Sequence, residues 1–207
     1  MFQKQFEIII RVIVKMGKGK TTKHCSSKAL RVEPSHHDIF DIYPEIGEKF
    51  KKAGWMQFIR ILNGYHPQVA MAFAQSFNGY QAQVGGLTMY VSEGTIYKTF
   101  KLNITGDRWF KKGKVDEALL NQFLLPEFQN PDWSKGIPLK FLQKEWQMIL
   151  ILVKNYISCE GRYNLIFCFH MNFLLHMTGD TQMNLPFFIL KSLQKMSMKV
   201  QKFPKSA

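Results

Sequence analysis

Residues 8–24, IIIRVIVKMGKGKTTKH, set a Gly-Lys-Thr behind an apolar run, the order in which a strand meets a phosphate-binding loop. Such a loop needs a glycine five positions before the Gly-Lys-Thr, so that backbone N–H groups can wrap the phosphates; Val14 stands there. It must also open a helix whose N-terminus faces the phosphates. KHCSSKALRVEPSHHD follows instead, polar and proline-broken, with no apolar stripe at helical spacing. Gly19, Lys20 and Thr21 therefore read as part of a basic tether, and a nucleotide-hydrolysing enzyme is the weaker reading.

The sulfur and imidazole groups point away from a metal site as well. Cys25, Cys159 and Cys168 are an odd and sparse set, which fits reduced thiols and a nuclear or cytoplasmic setting rather than a disulfide framework. On a helix Cys168 and His170 would point about 200° apart, and His170 and His176 about 240°, so they do not converge. Core positions are expected for them. No cofactor is implied.

Charge is concentrated at the ends. Residues 1–35 and 191–207 account for +6 and +5 of the formal +13, leaving a middle of only +2. A nearly neutral body with basic edges suits contact with polyanions, DNA, RNA or an anionic membrane, through those edges. Eighteen Phe, four Trp and 46% hydrophobic residues over 207 positions suffice for one sizeable core. MILILV and LIFCFHMNFLL are too short to span a bilayer, so no transmembrane segment is expected. IIIRVIV, cut by Arg11, does not read as a secretory signal, although the first thirty residues share the basic, acid-poor composition of a mitochondrial presequence.

The elements that must position these residues follow from periodicity. Residues 1–35 form an apolar and basic extension, with 16–34 expected to be disordered, and an α-rich domain occupies 36–203. GWMQFIRILNG and HPQVAMAFAQSFNG read as helices, the second opened by Pro67 and stopped by Asn78-Gly79. In YQAQVGGLTMYV a Gly85-Gly86 turn sets Val84 opposite Leu87, Ala82 opposite Met89 and Tyr80 opposite Val91, a hairpin over about 80–91 with one apolar face. Ser92 caps the next helix, EGTIYKTFKLN. VDEALLNQFLL is a helix closed by Pro126. Pro138 is placed to open the longest helix, with Leu142, Trp146, Ile149, Val153 and Tyr156 as its core stripe. A strand over MILILV is the alternative. RYNLIFCFHMNFLLHMTG, apolar all round, suits a central buried helix. In the final helix Lys191, Lys195, Lys199 and Lys202 fall within about 80°, opposite Ile189, Leu193, Met196 and Val200.

GYHPQVAMAFAQSFNGYQAQVGGLTMYVSEGTI, GDRWFKKGK, PDWSKGIP, CEGRYNLIF and LPFFILKSLQKMSMKVQK together resemble a plant-specific family described as plant transposon proteins, over roughly residues 55–201. The hairpin, capped helix and Gly-x-x-Trp loop are distantly similar to the plant mobile domain of transposon origin. In the family that helix runs into Gly-Leu-Pro, where Lys101-Leu102-Asn103 stands here. The resemblance implies an element-derived reading frame and brings no catalytic residue with it. Cut-and-join transposases hold two metal ions with three carboxylates on a strand-rich core. Asp107, Asp132 and Glu145 each lie at or near a Trp in expected loops or on a helix surface, so the tryptophans are expected to anchor connectors while the carboxylates stay solvated.

The sequence thus predicts a mainly α, single multi-helix domain with one small antiparallel hairpin and a disordered basic arm. Its expected role is non-catalytic. DNA or RNA is the first partner, through Lys18, Lys20, Lys23, Lys191, Lys195, Lys199 and Lys202, and a protein partner is the alternative.

Overall fold

The structure, a computed structural model, describes residues 37–61, 67–109, 116–157 and 164–202. The chain is mainly α-helical with one small antiparallel hairpin and a second, shorter strand pair. The expected arm at 16–34, with Lys18, Lys20 and Lys23 and the Gly-Lys-Thr, lies outside the described residues.

Helices α1 (His37–Ile42) and α2 (Pro44–Lys52) meet at Tyr43, with Pro44 in the first turn of α2, where its missing N–H leaves no bond unmade. α3 (Met56–Ile61) and α4 (Pro67–Ser76) follow, and Pro67 does open its helix. The hairpin β1 (Gln81–Val84) and β2 (Leu87–Tyr90) has the expected register, Ala82 opposite Met89 and Val84 opposite Leu87. Gly85 and Gly86 both have positive φ, 57° and 78°, as a two-residue hairpin turn demands. Ala82 and Met89 are buried, but Tyr80, expected on that face, is 59% exposed. It precedes the strand, just after Gly79 at φ 108°, and keeps only its carbonyl in the pairing, accepting from Val91 N–H.

Ser92 caps α5 (Glu93–Phe100), its Oγ accepting from Thr95 N–H at 3.1 Å. Three expectations fail beyond this point for one physical reason, long-range backbone pairing; one is the helix expected over RYNLIFCFHMNFLLHMTG, which starts only at Cys168 because Leu165–Ile166 pair as a strand. The helix expected over VDEALLNQFLL is only α6 (Glu117–Leu120), which tightens into a 3-10 turn at Asn121–Phe123. Leu125 N–H bonds Phe141 O, and Gln143 Nε2 bonds the carbonyls of Gln122 and Leu124, so these groups pair across the chain instead of along a helix. Pro138 does not open the long α-helix and precedes only a single 3-10 turn, Leu139–Phe141. It lies in β3 (Ile137–Pro138), paired antiparallel with β4 (Leu165–Ile166), a partner remote in sequence. Helix α7 (Lys144–Ile157) begins six residues later and is shorter than the final helix. MILILV is helical, and Trp146, Ile149 and Val153 are buried as the stripe required, with Leu142 buried just before the helix.

α8 (Cys168–Thr178) is the central helix, with seven buried residues and α2, α6 and α7 packed around it. The final helix α9 (Leu185–Lys202) lies against α4 and α5. Its Ser197 Oγ donates to Phe77 O. Phenylalanine dominates the largest fully buried side chains, Phe50, Phe58, Phe73, Phe77, Phe100, Phe123, Phe173 and Phe188 among them. Each contributes roughly 1.5–3 kcal/mol on burial, so the core rests on ring packing rather than on the few buried polar groups. Edge-to-face pairs such as Phe58–Phe100 and Phe123–Trp146 are the geometry that aromatic quadrupoles favour.

Candidate nucleic-acid interface

The N-terminus of α9 is fixed by one buried side chain. Asn184 Oδ1 accepts from Phe187 N–H (2.9 Å), a helix cap, while its Nδ2 donates to Ile104 O (2.8 Å) and Glu93 Oε2 (3.2 Å). A single amide therefore ties α9 to α5 and to the connector 101–109. That connector docks by its backbone. Asp107 N–H bonds Gln182 O (2.8 Å) and Asn184 N–H bonds Asp107 O (3.1 Å), forming a parallel bridge beside Met183. Gly106 makes the approach possible, since a Cβ there would lie 2.7 Å from the carbonyl carbon of Gln182 and φ is 100°. Trp109 then anchors the segment, edge-on to Phe173 (5.5 Å) and Phe188 (5.3 Å).

Between those two anchors Arg108 has nowhere to go but the surface. Its side chain is 65% exposed, with Nη2 3.2 Å from Glu93 Oε2 and the guanidinium 6.0 Å from the ring centre of Phe187. From the helix itself Lys191, one turn after Phe187, brings Nζ to 5.5 Å from the same ring and donates to Gln194 Oε1 at 3.1 Å. Gln194 in turn donates to Gly79 O (2.9 Å), which fixes this stretch of α9 to the turn before the hairpin. A half-buried phenyl ring thus sits among two cations from two different elements, with half-buried Lys195 one further turn along α9. Cation–π contacts at such exposed sites contribute about 0.5–1 kcal/mol, too little to account for the fold but enough to organise the surface.

Of the residues expected to bind polyanions, Lys191 and Lys195 are found on α9, half-buried rather than fully solvated. Lys199 and Lys202 continue the same helix, and their side chains lie outside the described residues, as do Lys18, Lys20 and Lys23. Arg108 and Phe187 were missed by the sequence reading. The available signal was local on one side only, a Phe-Lys pair at i and i+4 on a helix. Nothing local connects it to an arginine 79 positions away.

The other chemically capable side chains are used separately. Asp132 Oδ1 accepts from Ser134 N–H (2.9 Å), and hydrogen bonds from Ser134 hold its carboxyl below the usual carboxylate range. Glu145 lies 3.4 Å from Lys49 Nζ, which also sits 4.6 Å from the Trp146 ring. Among the described residues no three His, Cys, Asp or Glu side chains are grouped to hold a metal ion. His170 accepts from Phe167 N–H through Nδ1 (3.0 Å), and burial pushes the Cys168 thiol up. His176 stacks on Trp55 at 5.1 Å; burial pushes its imidazole below the usual value, against the opposing pull of the Ala53 and Thr181 carbonyls. His170 is a core residue, as expected, whereas His176 and Cys168 are only part-buried. No helix among the described residues is long and apolar enough to cross a membrane. No family model, curated protein or solved structure matches the chain.

Proposed function

We propose that this chain is a non-catalytic, transposable-element-derived module that binds nucleic acid, acting in the nucleus or cytoplasm. The observation that carries the reading is the Arg108–Phe187–Lys191 cluster, with Lys195 next along α9, on a body whose charge is otherwise close to balanced. Cations interleaved with an aromatic ring are what a polyanion with π-faces calls for. The likeness to plant transposon proteins supports an origin in a mobile element.

The test is a fluorescence titration with duplex DNA and with RNA at several salt concentrations. Affinity is expected to fall steeply with salt. Replacing Lys191, Lys195, Lys199 and Lys202 together by Gln is expected to make the log-log slope shallower by up to about 0.9 for each duplex phosphate that is no longer neutralised. No binding at physiological ionic strength, or a slope indifferent to the four substitutions, would sink the reading. A protein-binding role is the second reading. It rests on Tyr80, Tyr90 and Tyr97, 59%, 66% and 41% exposed, since tyrosine is enriched at protein interfaces.

A further inference from the structure

We propose that Phe187 is the stacking platform for one base of a single-stranded nucleic acid, with the adjacent phosphates taken by Arg108 and Lys191; this rests on the nucleic-acid reading above. Phe187 and the next residue in the chain have opposite surroundings. Phe188 is 1% exposed, and its ring meets Trp109 and Phe173 in the core. Phe187 is half-buried, and its ring meets the guanidinium of Arg108 and the ammonium of Lys191. Arg108 and Lys191 lie over this ring, 6.0 and 5.5 Å from its centre, so a base that stacks on it displaces a cation from the ring and leaves that cation beside the nucleotide's own phosphate.

Strand state follows from geometry. Duplex DNA presents base edges in its grooves and keeps base faces stacked inside, out of reach of a ring on a convex helix surface. A single strand can turn a base outward onto the ring. Glu93 sets the resting state. Its carboxylate holds Arg108 at 3.2 Å, so an incoming phosphate must compete with Glu93 for the same guanidinium. The Glu93 side chain is 24% exposed and also accepts from Asn184 Nδ2, so it cannot simply swing away. It is an internal competitor that lowers the affinity of any strand for the guanidinium, a cost that a stacked base offsets.

Fluorescence anisotropy of the full chain with labelled oligo-dT, oligo-U and a duplex of equal length tests this. The single strands are expected to bind more tightly than the duplex. Phe187→Leu should weaken single-strand binding about 5- to 150-fold, the range expected for one base stack, with duplex affinity and salt slope unchanged. Phe187→Trp should retain binding and show quenched indole emission as strand is added. Arg108→Gln should make the single-strand salt slope shallower by about 0.7, and Glu93→Gln should tighten binding several-fold. Circular dichroism melts of each variant separate a lost site from a lost fold. If Phe187→Leu binds single strands as wild type does, or weakens both ligands equally, the stacking site is wrong while the nucleic-acid reading stands. If the wild-type chain binds neither ligand at physiological ionic strength, both are wrong.

Discussion

Two connectors grip the central helix α8 from its two ends, and they are built alike. Residues 101–109 dock beside Gln182–Met183 after its C-terminus, and residues 130–138 dock beside β4 before its N-terminus. Each starts with a left-handed residue, Lys101 and Asn130, both at φ 52°. Each contains a glycine pressed against the partner segment, Gly106 and Gly136, and each is pinned by a tryptophan, Trp109 and Trp133. The difference lies in the polar residue left over. In the second, Asp132 is consumed locally as the cap of Ser134. In the first, Asp107 contributes backbone bonds, and Arg108 is turned outward to Glu93 and Phe187. The shared part of the design is packing; the unshared residue is where a function can reside.

The largest expected effects come from substituting the two glycines. At Gly106 a methyl group would meet main-chain atoms of Gln182 and Met183 at 2.7–2.9 Å, and no rotamer change relieves that. At Gly136 the neighbours are the Phe167 ring (2.8 Å) and Ile166 O (2.9 Å), and the ring can tilt in part. Gly136 also has φ 74° and ψ 157°, a region that essentially only glycine occupies. Gly106→Ala is therefore expected to cost roughly 3–5 kcal/mol and Gly136→Ala about 2–3 kcal/mol in denaturant unfolding. A cost below about 1 kcal/mol at either position would show that its docking is looser than the backbone distances imply.

How much of this was legible depended on sequence separation. The hairpin register could be read because Gly85-Gly86 and the alternation of Ala82, Val84, Leu87 and Met89 fall within one short window. The apolar stripe of α7, the Ser92 cap and the all-round burial of α8 are likewise local signals. The connectors were legible only as Trp-anchored loops. Pro138 looked like a helix start because its strand partner is at Leu165, and α6 looked longer because its competing bonds come from Phe141 and Gln143. The candidate site was half legible for the same reason: Lys191 and Lys195 share one helix, while Arg108 joins them only through the docking of Gly106 and Trp109.

A second expected difference between the connectors is pH dependence. The segment on which Gly106 docks is supported by His176, whose Nδ1 faces both Met183 N–H and Thr181 O (3.3 Å each) and whose Nε2 faces Ala53 O (3.3 Å). Charging the ring is opposed chiefly by its burial, and a proton on Nδ1, though Thr181 O can accept it, faces the N–H of Met183. The second dock is supported by buried Lys154, whose Nζ donates to Leu165 O at 2.7 Å, a bond in which no imidazole takes part. Because burial lowers the folded-state pKa of His176 below the ordinary 6.5, the unfolded chain binds the proton more readily. The stability it contributes is therefore complete above about pH 6.5 and lost as the pH falls below that value toward the folded pKa. Thermal melts between pH 7.5 and 5 should show the decline, and His176→Gln should flatten it. An unchanged slope in the variant would assign the decline to other groups.

The smallest expected effect concerns the residues that start the connectors. A left-handed backbone suits Asn, whose short polar side chain tolerates it, and suits Gly best; for a long side chain such as Lys it costs about 1 kcal/mol. Lys101 follows the last turn of α5 as a left-handed cap, and it is exposed, so removing its side chain opens no cavity. Lys101→Gly is thus expected to stabilise the fold by about 0.5–1 kcal/mol, reduced somewhat by the greater freedom glycine gives the unfolded chain. Asn130 should respond differently, because its own backbone N–H and Oδ1 are both bonded to the Asn121 side chain, at 2.9 and 2.8 Å. Asn130→Gly relieves little strain and removes one of those bonds, so a small loss is expected where Lys101→Gly gives a small gain. Opposite signs in matched denaturation curves would show that Lys101 and Asn130 share a backbone shape and differ in how it is held; equal signs would mean that φ alone governs both.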